Sequence, residues 1–317
     1  MGEEGSCRPR LLLASVATVA GGIISIPFGR VLTAMITPFD PSGAVDHGTV
    51  RDLARYLVET GSDGIFVAGT TGESPTLDAD EKIALFRAAV EAVGDRAVVL
   101  AGTGTYDTAE SIHLTEGAIE AGVDGVVAVT PYYSRPPQQG LFEHFTAIAD
   151  SSVVPVMLYN IPSRTRRRIE VETLSRLAEH EQIVAVKDSV GDVGFTTETI
   201  NACGDNVAVY SGDDILALPI MAVGGVGVVS VASHLAGEQV AAMVAAAAGN
   251  DWGEARRFHL ALAPLCKALF AEPNPMPVKG ALNALWQPVG EPKSPLVSAS
   301  AETVNAVKEA LAIARSG

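Results

Sequence analysis

From residue 30 onward, short β-branched apolar runs alternate with longer amphipathic stretches, and this alternation constrains the fold more than any other feature of the chain. The runs lie at 31–37, 64–69, 97–102, 125–130, 155–160, 183–187, 207–211 and 225–231, which makes eight strand candidates. Segments such as 46–60, 79–93 and 108–121 between them repeat apolar residues at helical spacing. Strands that are apolar throughout, without alternation, suit a parallel sheet covered on both faces by helices. Repeated strand–helix units leave two architectures, an open doubly wound sheet or a closed barrel. The count of eight predicts the barrel, a TIM-type (β/α)8 fold in the α/β class. No G-x-G-x-x-G turn follows the first run, so a dinucleotide-binding sheet has no support there.

At 317 residues the chain is within the range of a single barrel, and its 48% hydrophobic content can fill a large core. The barrel is expected over 30–236. An Ala-rich C-terminal helical region is expected over 237–317, longer than the one helix needed for closure and interrupted at 272–277 by Asn274 and three prolines. Residues 1–29 are read as an N-terminal extension and a candidate for disorder. The uncharged stretch 11–29 after Arg8 and Arg10 makes a signal peptide or membrane anchor the competing reading. Ser15, Thr18, Gly21, Gly22 and Pro27 weaken it as a span, and Glu3 and Glu4 do not suit a secretory leader.

A formal charge of −15 argues against a nucleic-acid partner, because phosphate binding needs a basic surface. Cys7, Cys203 and Cys266 are too scattered for a disulfide framework or a zinc site, which points to a reducing, cytoplasmic compartment. The six histidines are isolated and receive no role.

In a barrel, function collects where strands end at their C-terminal side. The residues expected there are Gly69-Thr70-Thr71-Gly72-Glu73-Ser74 after the second run, Thr130-Pro131-Tyr132-Tyr133 after the fourth, Tyr159-Asn160 and then Pro162-Ser163-Arg164 after the fifth, Lys187-Asp188-Ser189 at the end of the sixth, and Ser211-Gly212-Asp213-Asp214 after the seventh. The set holds no histidine and no carboxylate cluster with metal-ligand spacing, so no metal site is expected. Lys187 ends the run Ile183-Val184-Ala185-Val186 and would lie inside the mouth, where desolvation favours the neutral amine that attacks a carbonyl. A structural ion pair, with Asp188 or across the barrel, is the alternative. The turn Gly69-Thr70-Thr71-Gly72 offers hydroxyls and backbone N–H groups to a carboxylate, or simply caps the following helix. Tyr133 and Tyr159 could carry protons or be core aromatics. Arg164 suits bidentate capture of a carboxylate.

Taken in order, Gly69-Thr70-Thr71-Gly72-Glu73-Ser74, Pro131-Tyr132-Tyr133, Tyr159-Asn160-Ile161-Pro162-Ser163-Arg164, Val186-Lys187-Asp188 and Ser211-Gly212-Asp213-Asp214 resemble the dihydrodipicolinate synthase / N-acetylneuraminate lyase family of class I, pyruvate-dependent aldolases. The similarity runs from residues 32–39 to 274–279. It implies that Lys187 forms a Schiff base with pyruvate, that Thr70 and Thr71 hold the pyruvate carboxylate with help from the Gly212 backbone, and that Tyr159 moves protons at the imine, linked through Thr70 to Tyr133. Val229 matches a position whose carbonyl lines the site. Tyr133 would reach into the site of a neighbouring copy, implying a homo-oligomer, commonly a dimer of dimers. No cofactor is implied.

Thr70 and Arg164 resemble the lysine-biosynthesis branch, in which Arg164 would bind the carboxylate of a small aldehyde substrate, L-aspartate 4-semialdehyde. Another aldolase, lyase or hydratase-aldolase acting on a sugar acid or other 2-keto acid is the alternative within the family, and a non-catalytic keto-acid sensor the alternative outside it. Two departures stand out. Arg166 replaces the family's usual glycine and begins a run with Arg167 and Arg168, at the place where the second substrate would sit. Tyr106, Glu110 and Tyr132 match the family's regulatory lysine cleft, but Ala79 and Lys82 stand where lysine-inhibited members often carry histidines; weak or absent lysine feedback is expected.

Overall fold

The computed structural model describes residues 15–19 and 22–316. Cys7 and most of the expected extension lie outside the described residues. Strands β1 (Ser15–Val19) and β2 (Gly22–Ile26) pair as an antiparallel hairpin. The other eight are β3 (Val31–Ala34), β4 (Gly64–Val67), β5 (Val98–Gly102), β6 (Gly125–Val129), β7 (Val156–Asn160), β8 (Ile183–Asp188), β9 (Ala208–Ser211) and β10 (Gly227–Ser230), and they form a closed barrel in chain order. Every pairing in it is parallel, and Val228 opposite Val31 closes the ring between β10 and β3. Each apolar run of the sequence holds one of these strands, trimmed by up to three residues where the chain turns into a loop, except that β8 runs one residue past its run to Asp188.

Local sequence sets the helix boundaries. The Asp46 carboxylate accepts from the N–H groups of Gly48 and Thr49 and starts helix His47–Glu59. Asp78 and Glu81 form a reciprocal capping box that starts Ala79–Val93. Helix Thr108–Ala121 starts on Asp107 and stops at Gly122, whose φ of 85° is the left-handed conformation that favours glycine.

Strand side chains alternate, so one set fills the barrel and the other meets the helices. Leu32, Phe66, Leu100, Val127, Met157, Ala185, Tyr210 and Val229 belong to the interior cluster. The floor of the barrel is made by residues assigned from sequence to the extension: Ile26 and Phe28 are buried in that cluster, and the Tyr210 hydroxyl donates to the Gly29 carbonyl at 2.8 Å. The packed unit therefore starts at or before Ile26, ahead of the boundary expected at residue 30. The lack of charge made this stretch read as an extension or a leader, although its apolar Ile26 and Phe28 fill the barrel floor.

At the other end, the division expected at 236 falls inside helix Ser233–Ala248, at a kink where Ala236 leaves helical φ/ψ. Helix Trp252–Ala268 packs against that helix and against Ala301–Ser316, and Met276–Leu285 lies between them in the chain. No helix among the described residues is long and apolar enough to cross a membrane.

Candidate active site

The end of β8 places Lys187 in register with Tyr159 on β7 and Tyr210 on β9. The Lys187 side chain points into the barrel, and the residue is 4% exposed. Its Nζ lies 4.1 Å from the ring centre of Tyr159 and 5.1 Å from that of Phe66. Strand alternation turns Asp188 the opposite way. There its carboxylate accepts from Thr196 Oγ1 at 2.6 Å and from the Val190 N–H at 2.8 Å, while burial raises its carboxyl above the usual range. The structural ion pair with Asp188 is thus not formed, and no ion pair to Lys187 occurs among the described residues.

Gly212 makes room for this lysine. A Cβ at Gly212 would overlap Ser189 Oγ and come within 2.9 Å of Lys187 Cε and 3.0 Å of its Cγ. Its own N–H is already bonded to the Asp188 carbonyl at 2.7 Å. The donor expected from the Gly212 backbone is therefore spent on holding β9 to β8, and Gly212 serves the site through its missing side chain.

The loop after β4 is tightly wound. Ala68 and Glu73 have φ of 51° and 57°, left-handed values that are uncommon outside glycine, and the Gly72 carbonyl accepts from Thr37 Oγ1 at 2.7 Å. Strain of this kind persists only where its surroundings enforce it, and it concentrates at functional sites. Of the six non-glycine residues with positive φ among the described residues, Ala68, Glu73, Tyr133, Arg135 and Arg166 all lie in loops at the C-terminal mouth. The winding brings Thr70 and Thr71 to a cavity of about 720 Å³ shared with Tyr159, Arg164, Lys187, Gly212 and Val229. Seven of the eight residues selected from sequence thus line one space. A smaller pocket of about 210 Å³ adjoins it through Thr70, Tyr159 and Arg164 and is bounded by Tyr132.

Tyr133 is the exception. It lines neither space, is 94% exposed and has a φ of 67°. Within one chain the Tyr159–Thr70–Tyr133 relay is not assembled. The arginine run also divides. Arg164, on the short turn Pro162–Thr165, reaches the cavity and donates to the Asn274 carbonyl at 3.5 Å. Arg166, Arg167 and Arg168 do not line it: Arg167 bonds the Arg135 carbonyl, and Arg168 pairs with Glu170 at 2.8 Å and covers Phe195.

Sequence reasoning gave no role to several residues of the wall. Ser189, noted only as a strand-end residue, and Cys266, Lys267, Phe270 and Asn274 all line the cavity. The last four come from the C-terminal region, where the stretch 272–277 carried a turn signal and the end of the family resemblance but no site role. No local pattern ties Asn274 to Thr71, 203 positions away, yet its Nδ2 donates to Thr71 Oγ1 at 2.9 Å. Among the described residues no group of three metal-ligating side chains gathers anywhere.

A barrel whose mouth holds an amine without a carboxylate partner, flanked by a phenol, a hydroxyl pair and a guanidinium, has the equipment of a class I aldolase-type lyase, which forms and breaks carbon–carbon bonds through a lysine Schiff base. The profile of the dihydrodipicolinate synthetase family matches residues 27–314. The chain belongs to that family. It is 51% identical over 282 residues to the 4-hydroxy-tetrahydrodipicolinate synthase of Heliobacterium modesticaldum, covering 89% of this chain and 94% of the other. It is 52% identical over 284 residues to the enzyme of the same name from Moorella thermoacetica, covering 90% and 97%. The fold superposes with a TM-score of 0.88, at 35% identity over 91% of this chain and 99% of the other, on the chloride-inhibited dihydrodipicolinate synthase of Acinetobacter baumannii complexed with pyruvate.

Proposed function

We propose that this enzyme condenses pyruvate with L-aspartate 4-semialdehyde to 4-hydroxy-tetrahydrodipicolinate, the reaction for which its relatives at about half identity are named. The observation that carries the residue roles is the buried Lys187 amine, with no carboxylate partner, facing Tyr159 in the same cavity as Thr70, Thr71 and Arg164.

In this reading Thr70 and Thr71 hold the pyruvate carboxylate. Lys187 Nζ attacks the keto carbon, and water leaves as the imine forms. Loss of a methyl proton gives an enamine, with Tyr159 passing protons to and from the imine. The enamine carbon attacks the aldehyde, whose carboxylate is held by Arg164. The substrate's own amine then displaces Lys187, closing the six-membered ring and freeing the enzyme. Val229, on β10, completes the cavity wall. Covalent capture of the first substrate before the second implies ping-pong kinetics.

The exposure and left-handed backbone of Tyr133 support a role outside its own chain, completing the relay through Thr70 in a neighbouring copy. That reading makes the working unit a homo-oligomer, at least a dimer and as a dimer of dimers a tetramer. The thiols of Cys203 and Cys266, free and buried, support a reducing cytoplasmic setting.

Coupled assays with L-aspartate 4-semialdehyde, run beside a panel of sugar acids and other 2-keto acids in the cleavage direction, test the choice of reaction. Turnover of the semialdehyde is expected to exceed every member of the panel; pyruvate release from a sugar acid, without turnover of the semialdehyde, would assign the chain to the lyase alternative.

A further inference from the structure

Among the polar residues of the cavity wall that the reaction above leaves unused, Asn274 has the most specific contacts to the residues it does use. Asn274 is only 6% exposed, lines the cavity and makes two of its possible contacts: Nδ2 donates to Thr71 Oγ1 at 2.9 Å, and its backbone carbonyl accepts from Arg164 at 3.5 Å. The third group, Oδ1, has no hydrogen-bond partner among the described residues and almost no accessible surface, so a ligand in the cavity reaches it through a small turn of the side chain. A buried amide oxygen without a partner is costly and calls for an explanation, which a ligand supplies.

The direction of the amide follows from chemistry. Thr71 must point its hydroxyl proton at a carboxylate to hold it, so the Thr71 oxygen has to accept from its other neighbour. Asn274 must then present Nδ2 to Thr71, which leaves Oδ1 as a bare acceptor. An acceptor of this kind, beside the arginine that takes a carboxylate, complements the other half of an amino acid head group.

We propose that Asn274 Oδ1 binds the α-amino group of the second substrate while Arg164 takes its carboxylate, so that this side chain distinguishes an amino aldehyde acid from a plain one. The same residue joins the two half-sites, because its Nδ2 orients the Thr71 hydroxyl for the first substrate. The proposal rests on the condensation proposed above.

The test compares the wild-type enzyme with Asn274→Ala and Asn274→Asp. Three quantities are read in each: borohydride trapping of pyruvate on Lys187, kcat/KM for L-aspartate 4-semialdehyde at saturating pyruvate, and inhibition by 4-oxobutanoate, the same aldehyde acid without the amine. Asn274→Ala is expected to trap pyruvate, with a raised KM for it, and to lose about tenfold to a hundredfold in kcat/KM for the semialdehyde, as expected for one hydrogen bond to a charged group. Inhibition by 4-oxobutanoate should stay within roughly threefold, since it offers nothing to Oδ1. Asn274→Asp keeps the acceptor and removes the donor to Thr71, so it should retain the preference for the amino compound while its pyruvate KM rises. Equal losses toward both aldehydes in Asn274→Ala, or none, would overturn the proposal. If that variant no longer loads pyruvate, Asn274→Asp decides, and loss of the preference there overturns the proposal equally. Absence of a pyruvate adduct in the wild-type enzyme would instead remove the underlying reaction.

Discussion

Lys279 Nζ lies 2.7 Å from Glu73 Oε1, and the two side chains are 0% and 1% exposed. Glu73 closes the Thr70–Thr71 turn, and Lys279 belongs to helix Met276–Leu285, so this ion pair fastens the C-terminal region to the carboxylate-binding loop. Burial pulls the Lys279 ammonium below its ordinary range, the Glu73 charge opposes that, and the Phe39 ring lies 4.1 Å away. Glu73 Oε2 also accepts from the Lys293 N–H at 2.7 Å. Removing one partner strands a charge in the interior. Lys279→Met is therefore expected to destabilise the fold by about 3–5 kcal/mol and to raise the pyruvate KM. The double variant Glu73→Gln/Lys279→Met should recover part of the stability in denaturant unfolding; strictly additive losses would show that the pair is not coupled.

Gly212→Ala places a methyl group against Ser189 and within 2.9 Å of the Lys187 side chain. Overpacking of this kind typically costs about 1–3 kcal/mol. Because the crowded atoms belong to the nucleophile, pyruvate trapping on Lys187 is expected to fall about a hundredfold or more, the scale of a misplaced reacting group. A variant that loses stability yet loads pyruvate at the wild-type rate would show that the lysine does not need this space.

His234 is fully buried at the barrel mouth. Its Nδ1 donates to the Val231 carbonyl, and its Nε2 accepts from the Ile36 N–H at 3.1 Å. The ring is satisfied only when neutral, and burial lowers its pKa from 6.5 to about 4, with the Val231 bond opposing. Between those values the unfolded chain takes up a proton that the folded chain refuses. Stability from this group is complete above pH 6.5 and falls as pH drops toward 4. The loss amounts to roughly 3 kcal/mol by pH 4. His144, lowered to about 4, and Asp214, raised by burial, titrate identically in a His234→Gln variant and cancel in the comparison. The acid limb of the unfolding profile should be shallower in the variant; parallel limbs would mean that His234 is not responsible.

Lys82 is 5% exposed, with burial pulling its ammonium below the usual range and Glu110 opposing. The Glu110 charge acts on both Lys82 and Tyr132, and Tyr132 is held edge-on to Tyr106, with ring centres 5.3 Å apart. A cationic effector entering there meets a cation already in place. Initial rates are expected to be insensitive to lysine at millimolar concentration, and strong inhibition at micromolar lysine would contradict this.

The barrel was legible because each strand is a continuous apolar run and because the stretches 46–60, 79–93 and 108–121 between them keep helical spacing. Lys187, Tyr159, Thr70, Thr71 and Arg164 were legible because strand ends are where a barrel concentrates polar groups. Register brings Lys187 and Tyr159 together, and the winding of the β4 loop and the Pro162–Thr165 turn bring Thr70, Thr71 and Arg164 to the same cavity. Two kinds of feature were not legible. Ile26 and Phe28 sit in a stretch without charge or period, and only the closed barrel shows what they fill. Asn274, Lys279 and Cys266 reach the site from a helical region whose sequence advertises helix and turn; contact with the β4 loop or β9 depends on the path of the whole chain. Tyr133, exposed on a single chain, gains meaning only from a second one.

The proposed chemistry starts at the amine of Lys187. Incubation with pyruvate, reduction with borohydride and mass analysis of the digested protein test it most directly. One reduced pyruvyl group on the peptide carrying Lys187, absent without pyruvate and absent in Lys187→Ala, is the expected result. No adduct, or an adduct on Lys82, Lys267 or Lys279 with Lys187 unmodified, would contradict the Schiff-base assignment.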